Sequence, residues 1–209
     1  MRRFALPILI VLTFAGCSGD ENKDVILPLQ ARFDVAAVGG DPVIFFQKSP
    51  TDTNLTDDVV VVDVMLRSSA SITFDAIDME ILFDPSLLQV GQVDMTTTPL
   101  GPCPANLASS CSSNGPTDPL CCSNANAANS SGDLIIGVSR TGGSGATVTG
   151  TDKLMTLRFI GATVGTSMVR FETTLPSGDC EILTGVPPAP LVNLGVPCDS
   201  DNATVTVAR

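Results

Sequence analysis

The chain has 209 residues, a formal net charge of −11 at pH 7, and no histidine, tryptophan or tyrosine. The absence of histidine excludes Ser-His-Asp and Cys-His catalysis as well as histidine-ligated metal sites. The excess of acidic side chains argues against nucleic acid and anionic lipid headgroups as partners. The length suits one large domain with a short leader.

Residues 1–16 have the pattern of an export leader. Arg2 and Arg3 precede an apolar stretch that is too short for a mature membrane-spanning helix. The following Phe14-Ala15-Gly16-Cys17 is similar to a bacterial lipobox, which implies cleavage before Cys17 and lipid on that residue. Because Ser18 follows, the resemblance favours an outer-membrane lipoprotein that faces the periplasm or the cell surface. An ordinary secretory signal with a chance cysteine is the alternative.

The lipidated Cys17 and a polar tether are expected over residues 17–41, although residues 31–37 could also form a short strand. The folded domain is expected over residues 42–209, with its first strand at Val43-Ile44-Phe45-Phe46. A second half-buried strand is predicted from Asp58 to Arg67, because apolar residues alternate there. The alternating residues are Val60, Val62, Val64 and Leu66.

The clearest pattern lies between Ser71 and Val90. Apolar residues occupy alternate positions at Ile77, Met79, Ile81 and Phe83. Asp78 and Glu80 lie between them, and Leu82 interrupts an otherwise polar face. This period indicates a strand with one face in a core. Ile72 and Phe74 have the opposite parity, which predicts a bulge or a change of sheet near Asp75-Ala76, and Asp84-Pro85 ends the strand.

Residues 96–131 differ in composition from the rest of the domain. They are rich in Ser, Asn, Pro and Ala, they contain four cysteines, and they show almost no apolar period. We expect an insertion stapled by disulfides, since such a loop could not otherwise offset the entropy lost on ordering it.

Six cysteines besides Cys17 indicate disulfides in an exported chain. Cys180 and Cys198 bracket one loop and are predicted to pair. A bond between the adjacent Cys121 and Cys122 would be strained, so these two are predicted to pair with Cys103 and Cys111, in one of two orders. A zinc cluster is the alternative.

The remaining strands each show one inward row, and no helix is predicted. These rows are Leu134, Ile136 and Val138; Met155, Leu157 and Phe159; Val169 and Phe171; and Val205 and Val207. Short strands separated by turns indicate an all-β sandwich.

The stretch Phe83-Asp84-Pro85, followed by Leu88 and Val90, resembles the cohesin family, whose members bind dockerin domains. The resemblance continues in Gly132–Val138 and in Lys153–Phe159, which are similar to the fifth and sixth strands of that family. It covers about residues 42–207. It implies a jelly-roll β-sandwich of about nine strands that acts as a non-catalytic receptor for a dockerin-bearing protein.

The resemblance also implies a partner-binding face, because a dockerin helix packs across the sheet containing the third, fifth and sixth strands of the family. If the strand around Met79 is the third, Asp78, Glu80 and Leu82 lie on that face, and Thr156 and Arg158 lie outward on the sixth strand. Calcium is expected in the partner, and no cofactor is expected in this chain. Ordinary solvent-exposed strand residues are the alternative.

A carbohydrate-binding module associated with polysaccharide breakdown is the second functional hypothesis. Such modules usually stack sugar rings on Trp or Tyr, which this chain lacks. Glycoside hydrolysis by paired carboxylates is a third hypothesis, which we disfavour because solvated charges on strand faces explain these acids more simply.

Overall fold

The computed structural model describes residues 27–52, 57–105, 110–140, 142, 145–173, 180–185, 190–199 and 203–209. The predicted leader and Cys17 lie outside these ranges, so export and lipidation stay predictions. No helix within the described ranges is long and apolar enough to cross a membrane.

The described residues form two packed antiparallel sheets, which confirms the predicted all-β sandwich. The elements are β1 (Gln30–Val35), β2 (Val43–Lys48), β3 (Val59–Phe74), β4 (Ala76–Leu82), β5 (Leu88–Asp94), β6 (Ser110–Ser112), β7 (Leu120–Ser123), α1 (Ala125–Ser131), β8 (Asp133–Ser139), β9 (Ala146–Gly161), β10 (Gly165–Phe171), β11 (Cys180–Thr184), β12 (Val192–Asn193) and β13 (Ala203–Ala208). The count exceeds the expected nine partly because β6, β7 and β12 are short additions to one sheet.

The larger sheet has the order β1-β13-β10-β4-β8-β7-β6, with β11 paired to β4 and β12 paired to β11. The smaller sheet has the order β2-β3-β9-β5. The strand predicted around Met79 is β4, which lies in the middle of the larger sheet. It has β8 along one side and both β10 and β11 along the other.

The core between the sheets consists of the rows predicted from alternation. Ile77, Met79, Ile81 and Phe83 are all at most 7% exposed, and the predicted rows of β3, β8, β9, β10 and β13 are also buried. The two sheets are also joined by ring stacking: the ring centroids of Phe46 in β2 and Phe171 in β10 are 4.1 Å apart. Each fully buried side chain of this size contributes roughly 1.5–3 kcal/mol, which explains why the two-residue period determines the fold.

Asp75 lies at the point where the chain changes sheets. β3 ends at Phe74 in the smaller sheet and β4 begins at Ala76 in the larger one, which confirms the predicted change of sheet. The buried Asp75 carboxylate accepts hydrogen bonds from the Thr184 hydroxyl at 3.2 Å and the Gly185 N–H at 2.8 Å. Its own N–H donates to the Leu183 carbonyl. Hydrogen bonds to the end of β11 therefore replace the strand pairing that is interrupted where the chain changes sheets.

The stretch expected to be either a tether or a strand contains β1. All six residues of β1 pair with β13, from Gln30 opposite Ala208 to Val35 opposite Ala203. Ala31 and Phe33 are buried in the core. The sandwich therefore begins near Gln30, whereas the sequence placed its start at residue 42.

The prediction that the chain contains no helix is wrong, because α1 lies inside the predicted insertion. Gly132 ends this helix at φ 77°, and its N–H donates to the Ala128 carbonyl. A Cβ at Gly132 would clash with the Phe83 carbonyl oxygen, so glycine is required there. The Asn129 side chain hydrogen-bonds both backbone groups of Val90 and holds the helix on β5. Seven residues are too few to show a helical period.

The structure contains the disulfides Cys103–Cys121, Cys111–Cys122 and Cys180–Cys198, which confirms the predicted pairing and rules out a zinc cluster on these thiols. The alternation of β7 explains the order of the first two. Cys121 points inward, fully buried, toward the buried Cys103. Cys122 points outward, opposite Cys111 of β6, at a Cα separation of 4.0 Å. Neighbouring cysteines thus form bonds on opposite faces of one sheet.

Two adjacent isoleucines of β8 provide a matched test of the core. Ile136 is fully buried, whereas Ile135 is 46% exposed on the outer face. We expect Ile136→Ala to lower the free energy of unfolding by about 2–5 kcal/mol and Ile135→Ala to change it by less than about 0.5 kcal/mol. Urea unfolding with the disulfides intact measures both values. Equal losses in the two variants would contradict the assignment of the faces.

The disulfide order gives a second expected outcome, for the chain from Ser18, which lacks Cys17. Cys111→Ser frees the thiol of Cys122 on the outer face, so a thiol reagent should react with the native protein. Cys103→Ser frees the thiol of the buried Cys121, which should react only after denaturation. Absorbance of the released chromophore measures both rates. Rapid native labelling of the Cys103→Ser variant would show that Cys121 does not point into the core.

Candidate functional site

The five residues predicted to bind a partner divide between the two outer surfaces of the sandwich. Asp78, Glu80 and Leu82 point outward from β4 in the larger sheet. Thr156 and Arg158 point outward from β9 in the smaller sheet. They therefore do not form one continuous surface. Alternation along a strand reveals which side chains point outward, but it does not reveal to which sheet the strand belongs.

We use the name β4 face for the outward residues around β4 in the larger sheet. These residues are Ala76, Asp78, Glu80, Leu82, Leu120, Cys122, Asp133, Ile135, Gly137, Ser139, Met168, Arg170, Glu181, Leu183 and Leu191. Antiparallel pairing aligns many of them in rows across the strands. One row contains Glu181, Asp78, Gly137 and Cys122, and the next contains Leu183, Ala76, Ser139 and Leu120.

A depression of about 200 Å³ lies across these two rows. Its centre is formed by small residues of β4 and β8, namely Ala76, Gly137 and Ser139. Larger side chains rise on both sides, with Leu120 on β7 and Leu183 on β11, and Leu191 also lines the depression. The sequence therefore creates a hollow by placing small residues on the two middle strands and leucines on the flanking ones.

The opposite end of the β4 face opens into a wider cleft of about 400 Å³. β10 pairs with β4 at Arg170 and Phe171, whereas its earlier residues pair with β13. β10 and β4 therefore diverge on the N-terminal side of Arg170. Leu82, Met168 and Arg170 line the cleft. The buried Ser167 closes its floor by accepting a hydrogen bond from the Asp84 N–H at 2.9 Å.

Asp84 ends β4 beside this cleft. Hydrogen bonds from the Ser86 hydroxyl, at 2.6 Å, and the Ser86 N–H, at 2.9 Å, lower the pKa of the Asp84 carboxyl below its usual range. Because the folded pKa lies below that of the unfolded chain, this turn contributes stability above about pH 4. The contribution disappears as the pH falls through the lowered pKa.

The β4 face is acidic overall. It contains four acidic residues, Asp78, Glu80, Asp133 and Glu181. It contains one basic residue, Arg170, which is paired with Leu82. Glu181 is oriented by the Asn193 side-chain amide, which donates to its carboxylate at 2.9 Å. The acids surround apolar side chains, because Ile135 is paired with Glu80 and the leucines of the depression adjoin Asp78.

The outer surface of the smaller sheet has a different chemistry. Asp63 of β3 is buried and accepts a hydrogen bond from the Thr156 hydroxyl at 2.6 Å, with the Lys153 ammonium 4.0 Å away. Beside this pair lies a polar pocket of about 260 Å³ whose lining includes Gln92, Asp94 and Arg158. Thr156 and Arg158 therefore belong to a polar pocket rather than to the β4 face.

Apart from Leu82, sequence reasoning missed the apolar part of the β4 face. Leu120, Ile135 and Leu191 are 39–46% exposed there. One signal was available, because Leu134-Ile135-Ile136 is apolar at both parities, and a strand buried on one face leaves Ile135 in solvent. No group of three or more potential metal-ligating side chains occurs within the described ranges.

Comparisons with known proteins found cohesin modules among the solved structures that are similar to this chain. No protein-family model and no curated protein matches the sequence. Among solved structures, the chain is similar to the second type II cohesin module from the cellulosomal adaptor ScaA scaffoldin of Acetivibrio cellulolyticus. The TM-score is 0.49 and the identity 14%, over 79% of this chain and 97% of that one.

Two further solved structures have similar values. One is the seventh ScaB type I cohesin from Pseudobacteroides cellulosolvens, with a TM-score of 0.47 and 10% identity over 78% of this chain and 90% of that one. The other is an interface mutant of a type II cohesin-X-dockerin complex from Acetivibrio cellulolyticus. Its TM-score is 0.45 and its identity 17%, over 77% of this chain and 98% of that one.

Proposed function

We propose that this chain is a non-catalytic binding module of the cohesin type, and that its β4 face docks a dockerin-type domain of another protein. The observation that carries the proposal is the composition of this face. It combines exposed apolar side chains with a surrounding set of carboxylates, as the centre and rim of a protein interface do. Calcium would be carried by the dockerin-type partner.

The distribution of exposed apolar residues supports this choice of face. Of the eight large apolar side chains that are exposed in the described ranges, four belong to the β4 face, namely Leu120, Ile135, Met168 and Leu191. Scattered exposed apolar residues need no explanation, whereas several on one face favour an interaction surface.

The rigidity of the β4 face also favours docking. Most of its residues lie on strands whose inner rows are buried, and the flanking β7 and β11 carry disulfides. A surface that is already ordered loses little entropy when it binds, so more of the contact energy becomes affinity.

The proposal includes the place of the domain in the cell. Lipid on Cys17 would hold the chain at the outer membrane, and the residues between Cys17 and β1 would separate the sandwich from the bilayer. A short lipid-anchored spacer would leave the β4 face accessible to a soluble partner.

Charge reversal at Asp78 tests the proposed face. We expect Asp78→Arg to weaken binding of a calcium-loaded dockerin module by about 30-fold or more, because losing one member of a buried interfacial charge pair typically costs 2–5 kcal/mol. Titration calorimetry of the chain from Ser18, with and without calcium, measures the affinity across a panel of dockerin modules. Removal of calcium should abolish binding.

The matched control is Asp152→Arg, which makes the same charge change at an exposed position of β9 in the smaller sheet. It should leave the affinity unchanged. If both reversals weaken binding equally, net charge rather than the β4 face determines the affinity. If no dockerin module of the panel binds, the proposed function is wrong.

Binding of polysaccharide is a second candidate function, favoured by the polar pocket beside Thr156. Gln92, Asp94 and Arg158 supply donors and acceptors suited to hydroxyl groups. Affinity for an insoluble polysaccharide that survives Asp78→Arg but is lost in Arg158→Ala would support this candidate over the dockerin proposal.

A further inference from the structure

We infer that the depression between β7 and β11 is an anchor pocket for one branched aliphatic side chain that has a positively charged group beside it. That this side chain belongs to a docked protein rests on the proposed function. The shape and charge of the pocket rest on the structure alone.

Gly137 gives the pocket its depth. A Cβ built on this residue would have one neighbour within 4 Å, the Cβ of Cys122 at 3.9 Å. Apart from the two chain neighbours of Gly137, no other described residue comes within 4 Å of that position. Ser139 and Ala76 continue the low floor along the next row, while Leu120 and Leu183 rise at its two ends.

The walls of the pocket are held in place covalently. The β7 wall carries Cys121 and Cys122, whose disulfides lead to Cys103 below the sheet and to Cys111 on the neighbouring β6. The β11 wall begins at Cys180, which is bonded to Cys198. A pocket with such walls exists before the ligand arrives, so a small apolar group can enter without reorganising the sheet.

The charge around the pocket selects the rest of the ligand. Asp78 lines the depression, Glu181 lies beside Asp78 in the same row, and Glu80 lies two residues farther along β4. The basic Arg170 is opposite Leu82, at the other end of the β4 face. An apolar hollow with carboxylates at its rim favours an aliphatic group next to an ammonium or guanidinium group, and it disfavours one next to a carboxylate.

Three small probes of one shape and different charge test the pocket without any partner protein. They are isopentylamine, isopentyl alcohol and 4-methylpentanoate, each titrated into the ¹⁵N-labelled chain from Ser18. We expect isopentylamine to shift the amide signals of Cys122, Gly137 and Ser139. The neutral alcohol should bind at the same place about two- to fivefold more weakly, as for loss of an exposed charge pair, and 4-methylpentanoate most weakly.

Two variants at the pocket separate its shape from its charge. Gly137→Leu should fill the hollow and abolish the shifts, and the open space above Gly137 should let this variant stay folded. Gly39→Leu is the matched control, because a Cβ there would meet no atom within 4 Å. Asp78→Asn should keep binding of the alcohol but remove most of the advantage of the amine.

Persistent shifts in Gly137→Leu, or shifts spread over the whole surface, would overturn the pocket. Equal binding of the three probes would overturn its preference for a cation. Binding of a dockerin module to the Gly137→Leu variant with unchanged affinity would overturn the assignment of the pocket as the anchor while leaving the proposed function intact. Probe binding without any dockerin binding would support the pocket and count against the proposed function.

Discussion

The alternation of side chains along β4, with one row buried between the two sheets, is the constraint on which the rest of this structure depends. Burial of Ile77, Met79 and Ile81 forces Asp78 and Glu80 to the outside. Strands pair with β4 on both sides, so its register is held by hydrogen bonds as well as by packing. A slip by one residue would exchange the two faces and bury the carboxylates. The energy of the core therefore determines which side chains a partner can meet.

The corner at Asp75 connects this constraint to the second sheet. The chain passes from β3 to β4 through one residue, so the two layers are joined where the β4 face begins. The Asp75 carboxylate and backbone N–H form hydrogen bonds with the end of β11. β11 also forms one wall of the depression. Packing of the layers and the shape of the outer face are thus coupled through a few hydrogen bonds near Leu183.

Sequence reasoning succeeded where a local rule was sufficient and failed where the arrangement of strands mattered. The inward rows, the change of sheet near Asp75 and the pairing of Cys180 with Cys198 all follow from period, parity or loop geometry. The assignment of Thr156 and Arg158 to the surface of Asp78 needed the strand order, which no local pattern contains. The helix α1 escaped detection because it is held by a tertiary contact, between Asn129 and Val90, rather than by its own period.

The margins of the two sheets also limit how copies of this protein can associate. β6, at one end of the larger sheet, offers only three residues of ladder backbone. At the margin of the smaller sheet, the Ile44 N–H donates to the Pro197 carbonyl and the Ile44 carbonyl accepts from the Asp199 N–H. Fibril growth by strand addition needs a long unpaired strand, whereas β6 is short and the outer backbone of β2 is already hydrogen-bonded at Ile44. Molecules crowded side by side would therefore find only a short template along β6, and a strand added at β2 would have to displace the segment around Cys198.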